Sequence, residues 1–472
     1  MLNLSDYFAP LNYINLVIFA VFLLCCDIIG LKISSLWSKQ IPWFLKCTIW
    51  IIGLGIFVFL YFLLHFYLPY AFPTAIYVLI PLIIYSAPLY IRSKRWIDYF
   101  KFIKNNRLIV VVFLITLPKV IVKSSLPPYI WDEMAYHYIS PYSLYYESSW
   151  SVGNGFYQNL PRLLETAYIA LFSISKTYSV ARLLHFSIFL TFIVSCYLFM
   201  KKKFGNMTAF VCLILLLLHP ENFLLWSTFG YIDVGTTSLV MLGFVCFVEY
   251  ALKKRESLIY FSFAFFGMAA GSKYSAITQF MSFLIILLIF NIKLRMKRPI
   301  IIKRMIIGIF VFTIFGGYWY IKNLIFTGNP IYPYLFGCRF ENCQAISMGY
   351  TDPLTLKNSL LIFKRVFVNN IFLQYIFGIS ILLILTSRKK VMLITALIIL
   401  LFVGLEIMLV KNISGYEARY FLHWQIMAVV LLVLPLALFE RTNMFNKMRI
   451  IFDQLHTKLS ASISKSSLKK II

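Results

Sequence analysis

Apolar runs of about twenty residues recur from one end of this chain to the other, separated by short polar stretches. That rhythm predicts helices long enough to cross roughly 30 Å of hydrocarbon. The runs fall near residues 11–31, 47–68, 73–91, 108–124, 180–200, 207–225, 233–251, 257–271, 275–292, 305–321, 366–386, 391–410 and 421–439. The expected fold is an all-α polytopic membrane bundle of about thirteen transmembrane helices, with the pair meeting at Gly271 the shortest. One further stretch, Leu160 to Lys176, is too short and too mixed with Arg162 and Glu165 for a span. It reads as an amphipathic helix on the outer surface, covering a site fed from the lipid phase or sealing the bundle against headgroups.

The polar stretches set the orientation. Lys and Arg cluster at Lys32, Lys39 and Lys46, at residues 92–107, 201–203, 253–255, 293–304 and 388–390, and after Phe439. These clusters alternate with the spans, and basic loops stay in the cytoplasm. The N-terminus is then expected outside and the C-terminus in the cytoplasm of an integral plasma (inner) membrane protein. Residues 1–30 lack a basic leader and a small-residue cleavage site, so they read as a first span. Asp27 lies near its cytoplasmic end, within reach of the interface. Three parts are expected: a three-span extension and basic linker (1–107), a transmembrane core (108–440) and a basic cytoplasmic tail (441–472).

Composition agrees. The chain is 61% hydrophobic and only 13% charged, which excludes an ordinary soluble domain. Its net charge of +27 is explained by the basic cytoplasmic loops and attraction to anionic lipid, without a nucleic-acid partner.

Against that basic background, residues 124–161 carry Asp132, Glu133 and Glu147 and no Lys or Arg. The motif Trp131-Asp132-Glu133-Met134-Ala135-Tyr136-His137 suits a short helix in an outer loop, with Asp132 near its start. Asp132 is there either a helix cap or a group with chemistry to do. Four other outer positions gather polar residues. His219, Glu221 and Asp233 lie in one turn, where Asp233 could equally open the next span as its N-cap. Lys273 follows Gly271 between two short spans, to snorkel or to meet an anion. Lys322 and Asn323 precede the rigid turn Gly328-Asn329-Pro330. Arg419 and Tyr420 precede the last span, as interface anchors or as a two-pronged phosphate contact. Cys338 and Cys343 fit a disulfide in an oxidising compartment better than a metal site.

In this order the motifs resemble those of the GT-C superfamily, multi-span glycosyltransferases that take sugars from polyprenyl-phosphate carriers, among them the protein O-mannosyltransferases and the lipid A aminoarabinose transferase. The matching elements are Asp132-Glu133 with Tyr136-His137, Asp233, Gly271 to Lys273, Trp319, Asn323 and Gly328 to Pro333, and Arg419-Tyr420, spread over residues 108–440. Three additional spans precede the acidic loop and no large soluble domain follows it, so acceptor recognition is expected from the loops.

The resemblance implies an inverting transfer to an envelope glycan, lipid or protein acceptor on the extracytoplasmic face. Asp132 would be the general base, with Glu133 and His137 beside it. Lys273, Lys322, Arg419 and Tyr420 would hold the donor phosphate. Tyr136, Glu221, Asp233 and Asn323 would support them. A divalent metal ion bridging carboxylates and phosphate fits this chemistry without being required by it. The alternatives are a non-enzymatic flippase or transporter of lipid-linked sugars, which would place ionisable groups near the bilayer midplane, or an envelope polysaccharide polymerase or ligase.

Overall fold

A computed structural model describes residues 12–38, 40–67, 74–128, 132–139, 159–219, 227–332, 371–387, 389–409, 422–436 and 454. Its regular elements, among the described residues, are all helical. In chain order they are α1 (Tyr13–Trp37), α2 (Ile49–Tyr67), α3 (Thr74–Ser93), α4 (Arg95–Asn105), α5 (Arg107–Ser125), α6 (Leu163–Ser175), α7 (Ser179–Phe204), α8 (Asn206–Leu217) and α9 (Asp233–Lys253). There follow α10 (Ser257–Ser272), α11 (Ser275–Lys293), α12 (Arg298–Phe312), α13 (Tyr318–Thr327), α14 (Ile371–Thr386), α15 (Lys390–Leu409) and α16 (Leu422–Val433). A short 3₁₀ turn, Trp43–Thr48, leads into α2, and wide π-helical turns form Glu133–Ile139 and Thr313–Gly317.

Each expected span has its helix. Eight helical runs are long and apolar enough to cross a membrane, and one of them passes through a π-turn from Arg298 to Thr327. A ninth comes from α4 and α5, which meet at 97° near Asn106. That bend suits α4 lying along a membrane surface, with Lys101 and Lys104 beside exposed Phe100 and Ile103. The remaining expected spans are the shorter apolar helices α8, α10, α14 and α16.

Burial separates centre from rim. The membrane-crossing stretch of α9 is wholly buried and that of α7 is 89% buried, whereas α3 is only 22% buried. The outward residues of the rim helices are apolar, including Ile84, Ile306 and Leu385, as a lipid-facing surface demands.

The amphipathic surface helix requires correction. The helix exists as α6, but twelve of its thirteen residues are buried, Glu165 included, and it packs against α2, α3, α7 and α10. Its one charged residue, Glu165, is partnered by His137 inside the bundle, which is what allows a mixed helix to leave the surface.

The extension packs onto the core rather than beside it. Trp50 donates its indole N–H to Thr191 at 3.0 Å, and Ser195 donates to the Phe44 carbonyl at 3.0 Å. Within the extension, α1 and α2 cross at glycines: a Cβ on Gly53 would lie 1.8 Å from the Cys26 carbonyl oxygen. Small residues at such crossings let the backbones touch.

Candidate functional site

The acidic motif is held at its second residue. Glu133 is fully buried, and its Oε1 accepts from Arg182 Nε at 2.7 Å, from the Gly230 backbone N–H at 2.6 Å and from the Tyr138 hydroxyl at 3.2 Å. Arg182, from α7, also donates to the carbonyls of Lys123 (3.2 Å) and Leu126 at the end of α5. One guanidinium thus joins three chain segments, and a charged acceptor with several donors is among the stronger buried contacts. Burial and the Glu133 carboxylate push the Tyr138 phenol well above its ordinary pKa, so it stays a donor. Tyr138 stacks on Tyr178 with ring centres 4.5 Å apart. Asp132, one residue earlier, remains partly accessible.

The helical turn is pinned again at its far end. His137 Nδ1 lies 2.9 Å from Glu165 Oε1 of α6, and its ring meets Tyr231 edge-on at 5.7 Å. The 229–235 turn beneath it is organised by His185. Gly235 N–H donates to Nε2 at 2.7 Å, so Nδ1 carries the proton and donates to the Phe229 carbonyl at 2.9 Å. His185 is therefore a neutral brace for the turn that delivers Asp233.

Asp233 pairs with Lys273, the C-cap residue of α10, across the mouth of a cleft. The turn at Lys273 is tight because Gly271 packs on Gly316: a Cβ on Gly271 would lie 2.6 Å from the Gly316 Cα. The cleft is narrow and is lined further by Thr236, Ser275, Gln279 and His423. Two sequence candidates assigned to different roles are here one ion pair, which leaves Lys273 with its charge already met.

Lys322 is different. It is 5% exposed, with Nζ 4.9 Å from the centre of the Trp319 ring. Arg162, 2% exposed at the start of α6, is close enough to repel it. Burial lowers the Arg162 pKa to about 10, with Glu165 opposing, so Arg162 stays cationic at neutral pH beside the buried Lys322. Asn323 donates to the Tyr274 hydroxyl at 2.7 Å and to the Asn159 carbonyl at 3.3 Å, and Tyr274 donates to the Tyr332 carbonyl at 2.7 Å. Gly328, at φ 71°, ends α13 in the left-handed conformation that glycine tolerates, and Asn329 Oδ1 then accepts from the Ile331 N–H at 3.0 Å.

Glu133, His137, Asp233, Lys273, Lys322 and Asn323 therefore lie near one another at one end of the bundle, with Asp132 next to Glu133 in the chain. Glu221, Cys338, Cys343, Arg419 and Tyr420 lie outside the described residues, as does the Tyr136 side chain. Among the described residues no three His, Cys, Asp or Glu side chains group as a metal site. Sequence reasoning did not single out Arg182, His185, Glu406 or His423. A signal existed for Glu406, the sole carboxylate of α15, because an acidic residue inside an apolar span marks function by default.

Comparison with known proteins adds a family. Residues 164–319, from α6 to the start of α13, match the family model described as dolichyl-phosphate-mannose-protein mannosyltransferase. No curated protein and no solved structure matches the chain. On a multi-span helical bundle, that match over the segment holding Glu165, Arg182, His185, Asp233 and Lys273 supports a GT-C superfamily glycosyltransferase, a membrane enzyme that draws its sugar from a polyprenyl-phosphate carrier.

Proposed function

We propose that the chain transfers a sugar from a polyprenyl-phosphate carrier to an envelope acceptor on the extracytoplasmic face, with inversion, and that Asp132 is the general base. The observation that carries this reading is the division of labour between two adjacent carboxylates. Glu133 is buried and committed to Arg182, Gly230 and Tyr138, while Asp132 beside it stays partly accessible. A clamped neighbour fixes the backbone that presents the base, which is how a positioned group gains its effect.

Lys322, with Arg162 behind it, suits the phosphate leaving group. A buried cationic corner gains more from an anion than a solvated lysine does. Lys273 acts through Asp233, and Arg419 with Tyr420 complete the phosphate contacts. The N-terminus lies outside and the C-terminus inside, so that the acidic turn faces the extracytoplasmic side. Mannose, the sugar in the family's description, is the first donor to try.

The test is Asp132→Asn in purified protein supplied with polyprenyl-phosphate mannose. It keeps the shape and a capping oxygen. Turnover is expected to fall by about 10² to 10⁴ with donor binding intact. Parental turnover in folded Asp132→Asn ends the base assignment.

A further inference from the structure

The helix α4 carries a face that the reaction outlined above does not use. Its rotation is set from one side. Arg95, 4% exposed, grips Asp27 of α1 with two hydrogen bonds, and Asp98, one turn further on, meets Lys46 at 2.9 Å. Residues three apart share one face of a helix, so these anchors turn that face toward the bundle. Phe100 and Lys104 then fall on the opposite side, with Ile103 and Lys101 on its two flanks. The exposures agree: Phe100 is 66% and Ile103 50% exposed, and Lys101 and Lys104 are exposed beside them. The same mixture continues at the corner before the helix, where Ile91, Arg92 and Lys94 are all exposed. Arg92, Lys94, Lys101 and Lys104 meet no carboxylate among the described residues, while Asp98, the acid of this segment, is already engaged by Lys46.

The mixture says what covers this face. Water would leave Phe100 and Ile103 hydrated at a cost, and hydrocarbon would strip water from Lys101 and Lys104. The boundary between the two suits both, with the apolar side chains below the headgroups and the ammonium groups among them. Geometry puts the helix there. The 19 residues of α5 make a helix about 28 Å long, close to the thickness of the hydrocarbon, and α4 leaves its end at 97°. A helix perpendicular to a span, starting where the span ends, lies in the plane of the bilayer at headgroup depth, where lipid already stands. Four cations without countercharge then select lipids that carry a negative charge. We propose that the exposed face of α4, with the corner at Arg92 and Lys94, is a docking surface for the headgroups of anionic phospholipids in the bilayer that the protein spans. This surface serves whichever reaction the other end of the bundle performs.

The test follows amide hydrogen exchange of residues 95–105 in the full-length protein, in nanodiscs of phosphatidylcholine alone and of phosphatidylcholine mixed with phosphatidylglycerol. In the parent, exchange of α4 is expected to be slower in the mixture, and high salt should shrink the difference. Lys101→Gln with Lys104→Gln should remove most of it, at roughly fivefold per lysine, the size of one cation near an anionic surface. Lys293→Gln with Lys297→Gln removes the same charge from two exposed positions at the α11–α12 connection and should leave the α4 difference intact. Phe100→Ser with Ile103→Ser keeps every charge and should speed exchange of α4 in both compositions. All of these side chains are exposed and the contact between Arg95 and Asp27 is untouched, so the variants should unfold at the parental temperature. Equal exchange of parental α4 in the two compositions would leave the face to water or to a protein partner and overturns the proposal. So does a lipid effect that survives loss of Lys101 and Lys104, one that disappears equally with Lys293 and Lys297, or exchange unaltered by the two serines.

Discussion

Two buried arginine–carboxylate pairs, one toward each end of the bundle, are built differently. Arg95 meets Asp27 with two parallel hydrogen bonds of 2.6 and 2.7 Å and gives a further one, of 2.6 Å, to the Lys46 carbonyl. The pair fastens α4 to α1 and to the turn before α2. At the other end Arg182 reaches Glu133 by one bond only, and Glu133 Oε1 is shared with Gly230 and Tyr138. Glu133 Oε2 and Arg182 Nη2 have no hydrogen-bond partner among the described residues. The first pair meets in a two-pronged contact, with one further bond to the Lys46 carbonyl. The second spreads part of its capacity over α5, α7, the acidic turn and the 229–235 turn, and thereby sets where Asp132 stands.

The comparison breaks most sharply by removing the arginines. Arg182→Met and Arg95→Met should each cost about 3–5 kcal/mol, because each leaves a buried carboxylate without its countercharge. Thermal unfolding in detergent measures that loss. Neutralising both partners separates the two. Asp27→Asn with Arg95→Met should recover stability and transfer activity per folded molecule. Glu133→Gln with Arg182→Met should recover much of the stability but not the activity, since the backbone at Asp132 loses its clamp. Parental turnover in the Glu133→Gln, Arg182→Met double variant would show that the clamp is only another rivet.

The difference between the two pairs also marks what could be read in the sequence. The helices were legible because an apolar run of twenty residues has few alternatives in a bilayer, and all thirteen runs became helices. Leu163–Ser175 was misplaced because its Arg and Glu look solvated until partners from other segments are known. The same limit hid the site's supports. Asp132, Asp233, Lys273 and Lys322 stand out as charges in outer loops, whereas Arg182 and His185 lie within an apolar span, and their roles come from bonds to residues 44 to 59 positions away. Asp27 was expected to reach the interface; it is buried against an arginine 68 positions along the chain.

Smaller effects come from the glycine contacts in the same two regions. An added methyl at Gly53 would collide with the Cys26 carbonyl, and one at Gly271 with the Gly316 backbone. Either alanine variant should cost about 1–3 kcal/mol through overpacking. Their effects on transfer should diverge. Gly53→Ala separates α1 from α2, far from the cleft, and should leave turnover per folded molecule near the parent. Gly271→Ala displaces the turn that carries Lys273 and should lower turnover as well. Equal turnover in the two variants would mean that the Lys273 turn tolerates displacement.

The smallest expected effect concerns a third ion pair, beside the first. Lys46 and Asp98 are 2.9 Å apart, with side chains 43% and 42% exposed, and they join α4 to the turn before α2, which Arg95 also reaches through the Lys46 carbonyl. A solvated pair gains little, since water screens the attraction and two long side chains lose freedom to hold it. Lys46→Gln should therefore cost less than about 1 kcal/mol, and the cost should vanish in high salt. The Lys46 carbonyl that Arg95 uses belongs to the backbone and survives the substitution. If α4 is held by the buried pair, Lys46→Gln leaves the unfolding temperature nearly unchanged while Arg95→Met lowers it markedly. Comparable losses in the two variants would transfer the fastening of α4 from the buried arginine to the surface.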